Sequence, residues 1–199
     1  MASIEFWYEF ASTYSYPAAM RIEAVAGARG LAVAWRPFLL GPLFAEQGWR
    51  DSPFNIYPVK GRYMWRDLER TCRRLDLPLR RPNPFPQASL LAARIALSLD
   101  ESVRPRFSRA VYHAEFGEGR SIAEPAGLMP LVEALGLDGQ EVLTRAQSPA
   151  NKEHLKSQCA RAAAIGLPGA PCIVTADGEM FWGNDRLEEA VQWQSERSA

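Results

Sequence analysis

Ser3-Ile-Glu-Phe-Trp-Tyr-Glu-Phe-Ala-Ser-Thr-Tyr-Ser-Tyr16 passes from a strand-like segment into the first turn of a helix with no linker between them. Residues 3–10 are rich in the aromatic and β-branched types that suit a pleated sheet. The run stops at Ala11-Ser12-Thr13. From residue 14 to 26 the apolar residues Tyr16, Ala19, Met20 and Ala24 recur at helical spacing, and Gly27-Ala28-Arg29-Gly30 supplies the turn that ends the pattern. Residues 31–35, Leu-Ala-Val-Ala-Trp, then read as a second strand, whose unbroken apolar character predicts burial on both faces. Strand, helix and strand in immediate succession imply a right-handed parallel crossover.

Further along, residues 40–58 carry several prolines and little periodicity, and read as a long functional loop. Helical patterns follow at residues 63–75, 87–100, 103–116, 129–135 and 139–147. Pro78, Pro82, Pro84 and Pro86 punctuate the first gap, whereas Pro105 and Pro130 are placed in the first turns of their helices, where proline is tolerated. The last fifty residues return to α/β character. A helix over residues 151–165 is followed by Gly166-Leu-Pro-Gly-Ala-Pro171, strands over 172–175 and 179–182 around an Asp177-Gly178 turn, and a helix from about residue 185. The order βαβ, helices, αββα predicts an α/β chain with a thioredoxin-like fold and an all-helical domain inserted after the second strand. On this reading residues 1–45 and 150–199 form one discontinuous domain and residues 46–149 the insertion.

Composition narrows the function. The 199 residues are 47% apolar and 23% charged, ordinary values for a globular chain. Lys plus Arg equals Asp plus Glu at 23 each, so no global field exists to recruit nucleic acid or an anionic membrane. The run from Arg73-Arg74 to Arg80-Arg81 is interleaved with Leu and Asp and reads as a solvated face. Cys72, Cys159 and Cys172 show neither Cys-X-X-Cys nor zinc-type spacing, and His113 and His154 belong to no metal or triad motif, so no metal site is expected. Neither a leader peptide nor a membrane-length apolar run is read, and a soluble, cytoplasmic protein is the expectation.

Three junctions carry candidate chemistry. At Ser12 and Thr13, a helix start offers free N–H groups and a positive dipole end to an anion, while the plainer reading makes either residue a helix cap; the two roles can coexist. At Ala170-Pro171, an X-Pro bond in the cis form would expose backbone groups to an extended ligand, although position alone favours a plain strand-entry proline. Cys172 beside it reads as a small core hydrophobe. At Trp182-Gly183-Asn184-Asp185, a second helix start suits an amino-acid-like group, with Asp185 accepting from an ammonium; a cap alone is the equal alternative.

Taken in order, Phe6 to Tyr16, Arg36-Pro-Phe-Leu-Leu-Gly41, Lys60-Gly-Arg-Tyr-Met-Trp-Arg-Asp-Leu-Glu-Arg70 and Phe181-Trp-Gly-Asn-Asp-Arg-Leu187 resemble the 2-hydroxychromene-2-carboxylate isomerase family, relatives of kappa-class glutathione transferases and DsbA-type oxidoreductases. The resemblance runs over nearly the whole chain. It places the family's catalytic serine on Ser12, with Thr13 where proline is usual and Ser15 retained, and its cis-proline pair on Ala170 and Pro171. It implies glutathione as cofactor, bound by Ser12, Ala170, Pro171, Trp182, Gly183, Asn184 and Asp185, with Ser12 stabilising the thiolate. In the isomerases the thiolate adds reversibly to a ring-opened substrate, permits bond rotation and leaves unchanged.

The resemblance further implies a small aromatic or electrophilic substrate approached by Asn55 and Phe85, and a homodimer. Gly48-Trp-Arg-Asp-Ser-Pro53 replaces the Gly-Asn-X-Pro-Pro loop of kappa members. A kappa-like transferase or peroxidase would use the same cofactor site, and a non-catalytic glutathione- or peptide-binding module would use Ser12 only as a cap. Thiol–disulfide exchange is disfavoured, because serine occupies both redox positions, 12 and 15.

Overall fold

The computed structural model describes residues 2–46, 48–49 and 51–198. Arg50, in the loop that departs from the kappa pattern, lies outside the described residues. In chain order the elements are β1 (Ser3–Tyr8), α1 (Ser15–Gly27), β2 (Ala32–Pro37), α2 (Leu40–Glu46), α3 (Pro53–Ile56), α4 (Pro58–Arg74), α5 (Leu90–Ser98) and α6 (Arg104–Tyr112). A π turn (His113–Gly117), α7 (Pro125–Glu133), α8 (Gly139–Gln147), α9 (Pro149–Ala164), β3 (Cys172–Val174), β4 (Met180–Trp182), a 3₁₀ turn (Asn184–Arg186) and α10 (Leu187–Ser198) complete them.

The four strands form one mixed sheet in the order β2-β1-β3-β4. β1 runs parallel to β2, from Ser3 opposite Ala32 to Tyr8 opposite Pro37, as the crossover argument predicts. β3 is antiparallel to β1, and β4 pairs with β3 across the Asp177-Gly178 turn. β1 is central, and its alternation supplies both layers of the core. Phe6 stacks on Tyr8 on one face, where Tyr8 also bonds Ser108 of α6 at 2.7 Å. Trp7 faces the other way, under the Arg161 guanidinium of α9. Each such ring, fully buried, stabilises the fold by about 1.5–3 kcal/mol.

β2 corrects the expected burial on both faces. As an edge strand it leaves Ala32 exposed and Val33 and Ala34 half-buried. The face of α1 is also rotated from expectation: Tyr16, Ala19, Ile22 and Ala26 are buried, Met20 is half-buried and Ala24 is exposed. Residues 40–58 are not a plain loop but hold α2 and α3, the second started by the Ser52 side chain accepting from the Phe54 N–H. Pro130 lies inside α7, which begins at Pro125, rather than in a first turn. Arg104 is buried and joins the helical block to the sheet, donating to the carbonyls of Ala96, Leu99 and Trp35 at 2.8, 3.1 and 3.1 Å.

Candidate functional site

β1 ends at Tyr8, and a tight turn, in which the Ser12 N–H donates to the Glu9 carbonyl at 3.0 Å, delivers the chain to the start of α1. The backbone cap of α1 is Tyr14, whose side chain caps nothing. Of the two candidate caps, only Ser12 has a side chain that accepts from a helix-start N–H among the described residues. Ser12 serves the turn, its Oγ accepting from the Ser15 N–H at 3.3 Å. With that acceptor role filled, the hydroxyl proton points across the sheet end and donates to the Ala170 carbonyl at 2.9 Å. Thr13 donates instead to the Met64 sulfur of α4 at 3.1 Å.

The Ala170–Pro171 peptide bond is cis, so the plain strand-entry reading of Pro171 is corrected. Among the described residues the Ala170 N–H donates to no backbone carbonyl, while Pro171 O accepts from the Gly183 N–H at 2.9 Å. That bond ties the end of β4 to the proline. Trp182, 57% exposed, lies over Gly169, where a Cβ would meet its indole nitrogen at 2.9 Å, so only glycine lets the ring cover this peptide without a shift. Gly183 has a φ of +117°, which favours glycine, and turns the chain into Asn184 and Asp185. Asn184 is buried and Asp185 exposed. Ser12, Ala170, Pro171, Trp182 and Gly183 are thus linked at one end of the sheet, and Asp185 contributes to the field at Tyr14, two residues beyond Ser12.

Tyr14 donates to Asp67 of α4 at 3.0 Å, and Asp67 accepts from Arg70 at 2.9 Å. Burial first, then the Asp67 carboxylate, push the Tyr14 phenol well above its ordinary range, so it is a neutral donor. Neither Asn55 nor Phe85 makes a hydrogen bond or ring contact with these residues among the described residues. Asn55 is exposed and bonded to Asp51, and Phe85 packs edge-on against Trp65 of α4. It is Phe54, the neighbour of Asn55, whose ring approaches Tyr14.

The sequence reading missed two acids beneath the junction. Glu9 is buried and accepts a hydrogen bond from Ser89; burial raises its carboxyl to about 7. Glu115, on the π turn, is fully buried with neither carboxyl oxygen partnered among the described residues, and burial, with Glu9 beside it, holds it well above the usual carboxylate range. Tyr112 donates to the Glu9 carbonyl oxygen at 2.8 Å. A Glu within the aromatic run of residues 3–10 was the available signal for the first of these.

The cysteines offer no nucleophile. All three are free and buried, and burial pushes the thiols of Cys72 and Cys172 up to about 11 and about 12 and also raises Cys159. No group of three or more His, Cys, Asp or Glu that could hold a metal exists among the described residues, nor is any described helix long and apolar enough to cross a membrane. A separate cavity of about 370 Å³ between α2, α5 and α9 is lined by none of the junction residues.

A family model described as a DSBA-like thioredoxin domain matches residues 3–192. The chain is 29% identical over 188 residues to a 2-hydroxychromene-2-carboxylate isomerase of Sphingobium xenophagum, covering 94% of each chain. It is 26% identical over 200 residues to glutathione S-transferase kappa 1 of Homo sapiens, covering 94% of this chain and 88% of the relative. Among solved structures, a 2-hydroxychromene-2-carboxylate isomerase superposes with a TM-score of 0.86 at 25% identity, over 98% of this chain and 96% of that one. The fold is thioredoxin-like, with a mixed four-stranded sheet and many helices, as the element order predicts.

Proposed function

We propose, for a chain that belongs to the DSBA-like thioredoxin domain family, that it is a glutathione-dependent cis–trans isomerase acting on 2-hydroxychromene-2-carboxylate-like aromatic degradation intermediates. The observation that carries the reading is the Ser12 hydroxyl. Its lone pair is engaged by the Ser15 N–H, and its proton is delivered 2.9 Å away to the carbonyl that precedes the cis-proline. The 29% identity to a 2-hydroxychromene-2-carboxylate isomerase over 94% of both chains supports the substrate class.

The residues fit glutathione by their chemistry. Among the described residues the Ala170 N–H has no backbone partner, which suits it to pairing with the cysteinyl backbone. Asn184 and Asp185 offer an amide and a carboxylate for the amino-acid end, and Pro171, Trp182 and Gly183 shape the wall between. Glutathione, when bound, supplies a thiolate for reversible addition to a double bond. The Ser12 hydroxyl would turn its one hydrogen from the Ala170 carbonyl to that sulfur as a hydrogen bond, keeping its own proton, and the positive end of α1 would favour the anion, which together lower the thiol's pKa. Tyr14, held neutral, presents a hydroxyl tied to Asp67 at the rim. Asn55 and Phe85 belong to the proposed substrate side, within the helical insertion of residues 46–149. Glutathione and a small aromatic substrate are the proposed partners, with a homodimer as the working assembly and the cytoplasm as its compartment.

A kappa-like transferase is the second reading, favoured by the 26% identity to the human kappa enzyme. Incubation with 2-hydroxychromene-2-carboxylate separates them. Isomerisation that requires glutathione while total thiol stays constant is the expected result. A stoichiometric fall in thiol establishes the transferase instead, and glutathione binding without turnover in wild type or Ser12→Ala leaves a binding module.

A further inference from the structure

Arg21 lies on α1, six residues past its first residue, or about 9 Å along the helix axis. Its guanidinium reaches the 3₁₀ turn after β4. Nε donates to Asn184 Oδ1 at 3.1 Å and one terminal nitrogen to the Asn184 carbonyl at 2.6 Å, while the head also ion-pairs with Glu188 of α10. The Arg21 bond is the largest cause holding the Glu188 carboxyl below its usual range.

Arginine has donors and no acceptor, so the asparagine atom facing it has to be the amide oxygen. An asparagine held by nothing would turn either its oxygen or its nitrogen to a ligand. Here the oxygen is taken, and the amide nitrogen donates to no protein acceptor among the described residues, although Asn184 is only 6% exposed. The turn therefore presents a pair of donors at Asn184 and, one residue on, an acceptor at Asp185, whose side chain is 76% exposed. A donor beside an acceptor matches the carboxylate and ammonium of an α-amino acid.

We propose that Arg21 is a positioning residue that fixes Asn184 as a donor towards the α-carboxylate of the bound thiol, and so selects thiols carrying a γ-glutamyl end. The inference rests on the glutathione reading above and assigns its specificity. Because Arg21 and Ser12 are both referred to α1, the thiol end and the γ-glutamyl end are measured along one rigid element.

The test is calorimetric binding of glutathione, cysteinylglycine, glutaryl-cysteinylglycine, which lacks the α-amine, and 4-aminobutanoyl-cysteinylglycine, which lacks the α-carboxylate. Arg21→Met is expected to weaken glutathione and the glutaryl analogue about tenfold, the scale of a charge-assisted hydrogen bond, and to leave the 4-aminobutanoyl analogue within about twofold. A residue that only braced the fold would weaken both analogues alike, and that result, or an unchanged ratio between them, overturns the assignment. Should Arg21→Met fail to fold, the same ratio is read in Arg21→Lys, which keeps a charge opposite Glu188 but loses the fork. A wild type that binds glutathione no better than cysteinylglycine removes the glutathione reading and this proposal together. A wild type that prefers glutathione, with Arg21→Met preserving that preference, removes the proposal alone.

Discussion

The turn between β1 and α1 has an outer and an inner side, and they treat negative charge in opposite ways. Outward, the Ser12 hydroxyl and the Tyr14 phenol donate to the Ala170 carbonyl and the Asp67 carboxylate, beside the positive dipole end of α1. Inward, Glu9 of the turn and Glu115 of the π turn packed near it are sealed from water, and both oxygens of Glu115 lack a partner among the described residues. One short stretch of chain can thus favour an anion on one face and suppress it on the other. Burial and the direction of donors decide which, since a carboxylate stripped of water and of hydrogen bonds is the costlier form.

The largest expected effect breaks the outer side. Ser12→Ala removes the one hydroxyl proton aimed at the Ala170 carbonyl, and turnover of 2-hydroxychromene-2-carboxylate falls by about 10²–10³, the cost of losing a single anion-stabilising donor. Glutathione affinity should change far less, which separate calorimetry checks.

Next in size is the inner side. Folding raises Glu9 from 4.5 to about 7, so between those values the folded chain binds more protons than the unfolded one. Its contribution is present in full below about pH 4.5 and is lost as the pH rises through 7, amounting to about 3 kcal/mol. Urea titrations from pH 4 to 8 should show stability declining across that window, and Glu9→Gln should flatten the decline. An unchanged slope in Glu9→Gln would mean that the buried acid carries no such linkage.

Tyr14→Phe tests the rim more gently. Losing its bond to Asp67 should cost about 1 kcal/mol, read as a small drop in melting temperature and at most a severalfold change in glutathione affinity. Smallest of all is Cys172. With its thiol pushed up to about 12, it should resist alkylation by iodoacetamide at neutral pH in the folded protein, and Cys172→Ala should turn over at the wild-type rate.

The order of elements was legible because its signals are local. The aromatic run into Ser12, the glycine turn at residues 27–30 and Asp177-Gly178 each determine a short stretch of chain without help from elsewhere. Residues 40–58 were not, because α3 is four residues long and exists through the Ser52 cap and the contact of Phe54 with Tyr14, which periodicity does not register. The edge position of β2 was hidden for the same kind of reason: an apolar strand reads alike whether one neighbour or two cover it.

At the site, residue types were readable and directions were not. Ser12 was a candidate cap and a candidate donor, and the structure gives it both kinds of bond, one to the Ser15 N–H and one to the Ala170 carbonyl. The cis form of Ala170–Pro171 was implied by family resemblance rather than by the local sequence. Arg21 was passed over because nothing in its neighbours announces a partner 163 residues away, and Glu115 because nothing local announces its burial. Arg21 meets Asn184 only once the sheet has brought α1 and the last turn together.

The ionisation state of the bound thiol tests the role of Ser12 most directly. Ultraviolet absorbance of the thiolate, followed across pH for glutathione bound to wild type and to Ser12→Ala, measures it without any substrate. In wild type the bound thiol should ionise about one unit or more below free glutathione, as thiols do beside donors and helix starts, and Ser12→Ala should return it towards the free value. Identical titrations in the two proteins would contradict the role assigned to Ser12.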